Sequence, residues 1–91
     1  MDGKEVGFTV RLFREGETYV AHAPELDISS CGDTEAETRR KIKDAVAGFL
    51  NTAEEQGKLV QILEEAGYRL EGGRWREPEI VSTERMQVRV V

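Results

Sequence analysis

Apolar side chains in the first third of the chain recur at every second position. Val6, Phe8, Val10 and Leu12 alternate with Gly7, Thr9, Arg11 and Phe13, which is the period of a strand with one buried face. Arg14-Glu15-Gly16-Glu17 turns the chain, and Thr18 to Ala23, rich in strand formers, reads as the return strand. Pro24 ends it, because proline cannot donate to a ladder. Ile28 to Cys31 completes a meander as a short third strand. The period then changes. Ile42, Ala45, Val46, Phe49 and Ala53 recur at three and four, the stripe of a helix laid on a sheet. Thr34 with Glu37 three residues on is a capping box, and the acidic first turn complements the helix dipole.

Gly57 interrupts this pattern. Leu59, Ile62, Leu63 and Ala66 form a second, shorter stripe closed by Gly67 at a C′ position. Tyr68 to Arg76 reads as a hairpin folded about Gly72-Gly73 and stopped by Pro78. Met86 to Val90 alternates again and predicts a last strand. The order is strand, strand, strand, helix, a helix-plus-hairpin insertion over residues 57–83, and strand, an α/β (α+β) domain spanning 1–91.

Ninety-one residues can bury one modest core, so association between copies would help to stabilise it. The net charge is −5, and residues 1–33 carry three basic against seven acidic side chains, whereas residues 68–91 carry five against four. Such a surface repels phosphate backbones, which disfavours direct DNA or RNA binding and favours a basic partner. A nucleic-acid face in Arg39-Arg40-Lys41 and Lys43 is countered by interleaved carboxylates, with Glu35–Arg39 and Glu37–Lys41 spaced as i,i+4 pairs. No apolar h-region follows the first residues and no apolar run reaches the ~20 residues that cross a bilayer. A soluble cytoplasmic protein is the expectation. The lone Cys31 forms no intramolecular disulfide.

Tyr19-Val-Ala-His-Ala-Pro24-Glu25-Leu26-Asp27, the Gly32-Asp33-Thr34 before the helix and Asp44-Ala45 within it carry a resemblance. Together they resemble the core signature of the HicB-like antitoxin family, over roughly Val6 to Leu50. The family has Pro-Gly-Cys after the Leu and Glu-Ala at the helix start, where this chain has Asp27-Ile28-Ser29 and Glu37-Thr38. The resemblance implies a β-β-β-α-β layer like a reduced ribonuclease H fold. One main helix would lie on a small mixed sheet, with the last strand, Met86 to Val90, parallel to the first. It also implies a binding protein rather than an enzyme, with no cofactor. The partner implied is a small basic HicA-like toxin that cleaves RNA, held by Tyr19, Pro24, Glu25, Asp27 and Asp33. Members commonly add a C-terminal DNA-binding module; no helix follows Met86 to Val91 here, so none is expected.

Each candidate chemistry has a plainer competitor. A two-metal nuclease of that fold needs an Asp in the first strand, and Gly7 to Leu12 contains none. His22 and Cys31 could meet across neighbouring strands as a nucleophile pair, but no third orienting group is recognisable, and two residues cannot complete a metal site. Alternation accounts for both: His22 shares a face with Val20, and Cys31 behaves as a small apolar strand residue. Trp75 is either a core residue or an interface anchor. Leu63 to Tyr68 with its following hairpin is similar to the helix and hairpin of HicA toxins. The toxin's catalytic His follows Gly-Ser there, whereas this chain reads Gly73-Arg74-Trp75. Two functions stand: an antitoxin domain, or a solitary oligomeric regulatory or scaffold module with no toxin and no catalysis. In the second, a dimer or tetramer would pair through an exposed strand edge with Val88 and Val90 as its seam.

Overall fold

A computed structural model describes residues 5–91. Three strands, β1 (Arg11–Glu15), β2 (Thr18–Ala23) and β3 (Ile28–Gly32), form an antiparallel meander with β2 in the centre. A long helix, α1 (Glu35–Glu55), crosses one face of it, followed by α2 (Leu59–Glu65) and a separate hairpin of β4 (Arg69–Glu71) and β5 (Arg74–Arg76). This is an α+β arrangement, as the hydrophobic periods predict.

The registers Leu12↔Ala21 and Ala23↔Ile28 put Leu12, Ala21, Ala23 and Ile28 on the face that α1 covers. Ala21, Ala23, Ile42 and Val46 make the core there, with Phe8, Leu12, Leu26, Ile28 and Leu50 packed around it. Small residues on β2 let the helix approach closely, and burying Ile42 and Val46 contributes ~1.5–3 kcal/mol each. A second cluster lies at the far end of α1: Ala53, Leu59, Leu63, Tyr68 and Trp75. Leu26 and Leu50 touch both clusters.

Helix ends are closed by main-chain geometry. After α1 the Gly57 amide bonds to the Glu54 carbonyl and the Lys58 amide to Ala53; after α2 the Gly67 amide bonds to Glu64 and the Tyr68 amide to Leu63. Both are Schellman motifs, with Gly57 at φ 71° and Gly67 at φ 94°. The second aims Tyr68 into the cluster that holds Leu63, which starts the hairpin and brings Trp75 inside.

Two expectations are corrected. The first strand begins at Arg11, not Val6, because Arg11 pairs with His22 and the next residues of β2 run into Ala23 and Pro24, where the ladder stops. The last strand is not formed: residues 77–91 carry no regular structure, and the sheet is wholly antiparallel rather than mixed. Alternation specifies the face a strand would present but not the neighbour that hydrogen-bonds to it. Among the described residues no helix is long and apolar enough to cross a membrane.

Candidate partner-binding surface

The signature residues are mostly spent on the fold. Leu26 N–H donates to the Ala23 carbonyl at 3.3 Å, closing a turn at Pro24 and Glu25. The Glu25 carboxylate turns back on the N-terminal segment, accepting from the Thr9 amide at 3.0 Å and from its hydroxyl at 2.6 Å. Leu26 reaches the core. At the other end of β3, Gly32 meets α1 so closely that a Cβ there would lie 2.8 Å from the Thr38 hydroxyl. Thr34 caps the helix, its hydroxyl accepting from Glu37 N–H at 3.0 Å, and the Glu37 carboxylate accepts from Asp33 N–H at 2.7 Å. That amide bond, then Lys41 and Arg40, hold the Glu37 carboxyl below its ordinary value.

The predicted partner contacts are therefore not one cluster. Tyr19 lies opposite Gly32, beside Asp33, at one end of the sheet. Pro24, Glu25 and Asp27 lie at the other, a strand length of ~20 Å away. Pro24 and Glu25 are half-buried, whereas Asp27 and Asp33 are exposed. Asp27 takes a left-handed φ of 54°, and its carboxylate meets His22 Nε2 at 2.9 Å. The interface reading of Trp75 is corrected: it is buried among Ala53, Leu59, Leu63 and Tyr68, because the hairpin folds back on α2. Val88 and Val90 stand free in solvent.

The meander exposes one feature missed in the sequence. Phe13 pairs with Val20 and Val20 with Cys31, so these three form a row across the sheet face opposite α1. Arg11, His22 and Ser29 form the neighbouring row. Phe13 is 48% exposed and Cys31 is exposed. The one available signal was Phe13 itself, an aromatic residue out of phase with Val10 and Leu12. Glu15 and Glu17 of the β1–β2 turn, with Asp33, give one end of this face an acidic rim; all three are exposed. His22 and Cys31 share this face but on adjacent rows, and the acid that meets the His22 ring is Asp27, at 2.9 Å, a partner the sequence did not signal. Among the described residues no three His, Cys, Asp or Glu side chains gather to hold a metal ion. Compared with known proteins, the chain matches no family model, no curated protein and no solved structure.

Proposed function

We propose that this domain is a protein-binding module of the antitoxin type, which receives a small basic RNA-cleaving toxin on the open face of its sheet and inactivates it by contact. The observation that carries the reading is the row Phe13–Val20–Cys31, left uncovered beside the acidic rim of Glu15, Glu17 and Asp33. Interface centres are apolar with a charged rim, and an aromatic residue at the centre is the usual anchor. A rim of one sign steers a partner of the other sign and sets its orientation. The net charge of −5 supports the same choice of partner. The resemblance to HicB-like antitoxins supplies the partner class. Asp33 keeps its exposed side chain available for it, whereas Asp27 is paired with His22 and Glu25 is engaged with Thr9.

The test is a pull-down with the tagged full chain from its own cell lysate, at low and raised salt, with mass spectrometry and an RNA-cleavage assay of the eluate. The reading expects a small basic protein whose cleavage of RNA is suppressed while bound, whose retention falls as salt screens the rim, and which Phe13→Glu releases. A retained protein without ribonuclease activity, or one indifferent to Phe13→Glu, would overturn it.

A further inference from the structure

The last thirteen residues are the least satisfied part of the molecule. Residues 79–91 are all exposed, and Val81, Met86, Val88 and Val90 keep between 81 and 90% of their surface in water. The radius of gyration is 15.4 Å, against about 12 Å for a compact chain of this length. The accessible surface is 7232 Å², against about 5,400 Å² for a folded monomer of 10.3 kDa. The excess is on the order of 1,000 Å² or more, comparable to the ~800 Å² per partner of a standard protein interface.

That arm is patterned as a strand. Met86, Val88 and Val90 fall on one side and Arg85, Gln87 and Arg89 on the other. One apolar and one polar side is what a strand needs to extend a sheet that has a core on one face only. The sheet offers such a place. Among the described residues β1 is an edge strand bonded to β2 alone, so its other side presents unpaired main-chain N–H and C=O groups. α1 packs chiefly over β3 and β2, leaving the β1 side of the core thinly covered. Phe8 and Leu12 are only half-buried there and Val10 is 38% exposed. The hairpin next to that edge, Glu15-Gly16-Glu17, is acidic, and the arm carries Arg85 and Arg89.

We propose that the arm is an exchanged strand: residues 86–90 of one copy add to the free β1 edge of a second copy, which returns its own arm in the same way. Run antiparallel, Met86, Val88 and Val90 then cover Leu12, Val10 and Phe8 of the other copy, while Arg85 lies toward its Glu15 and Glu17. The base of the arm is set for this. The Glu77 side chain occupies the space where a Cβ on Gly7 would sit, and Pro78 lies over Gly67. The arm thus leaves each copy beside the start of the edge it exchanges with, and a two-fold axis closes the pair with no edge left over on that side. The fourth strand is supplied between chains, which is why a single chain shows none.

Sedimentation of the full chain at micromolar concentration tests the pairing, and cross-linking tests its geometry. The chain is expected to run as a dimer. Val88 and Val90 keep 86% and 88% of their surface in water, so Val88→Glu with Val90→Glu is expected to weaken association at least tenfold with the helical circular dichroism and Trp75 fluorescence unchanged. In a Cys31→Ser background, chains carrying Phe13→Cys mixed with chains carrying Gln87→Cys are expected to be joined to each other by a short bis-maleimide. A monomer at all concentrations, a dimer indifferent to the Val88 and Val90 changes, loss of the fold in that variant, or a bridge formed within a chain carrying both cysteines would each overturn the proposal.

Discussion

The hydroxyl of Tyr68 donates a hydrogen bond of 2.5 Å to the main-chain carbonyl of Gly7, sixty-one residues earlier in the chain. It ties residues 5–10, which carry no regular structure, to the cluster built by α2 and the hairpin. Tyr68→Phe leaves the ring in place and the Gly7 carbonyl without its donor, at an expected cost of ~1–2 kcal/mol in urea denaturation.

The same phenol sets an alkaline limit. Burial, then the Glu25 and Glu77 carboxylates, push its pKa up to about 12 from 10.0. The folded state thus binds the phenolic proton more tightly than the unfolded chain does. Its contribution is full below pH 10 and is lost as pH rises through about 12. Stability measured across that window should fall in the parent protein and lose this component in Tyr68→Phe.

Glu25 is expected to act as a clamp rather than as a contact for a partner. Glu25→Ala removes a charge-assisted pair of bonds to Thr9 and should cost ~1.5–3 kcal/mol. Amide exchange should rise at Thr9 while the β2–β3 ladder keeps its protection.

Two glycines should respond in opposite directions to the same change. Gly32→Ala places a methyl group 2.8 Å from the buried Thr38 hydroxyl, itself fixed to the Thr34 carbonyl, and should cost ~1–3 kcal/mol. Gly48 lies inside α1 with open space around it, so Gly48→Ala should stabilise by ~0.5–1 kcal/mol. Denaturant melts of the two variants give the comparison directly.

Acid should loosen the strand-to-helix joint. Because the Glu37 pKa is lowered in the folded state, its contribution is present above the ordinary carboxyl value of 4.5 and is lost as pH falls through the folded value. Glu37→Gln should flatten the acid limb of the stability profile below that pH.

What was legible in the sequence follows from the range over which each feature is determined. The cap at Thr34 and Glu37, the helix stop at Gly67 and the turn at Gly72-Gly73 are fixed by residues a few positions apart, and all three are found where local chemistry puts them. Glu25 finds its partner sixteen residues away, and nothing near it in the chain signals Thr9. Trp75 faces inward because α2 and the hairpin form a cluster of their own, which no single periodic segment reveals. Of the candidate surface, the acids were legible as charge. The row Phe13–Val20–Cys31 exists only once two registers are set.

The corner between α1 and α2 is turned by main-chain hydrogen bonds, with no side-chain cap on Lys58. Its demand on the genetic text is therefore almost a single letter, Gly57, whose neighbours Gln56 and Lys58 are free to drift without altering the angle at which the second helix departs. Evolution can rewrite the exposed surface of that elbow to suit a new contact while the skeleton beneath it stays the same.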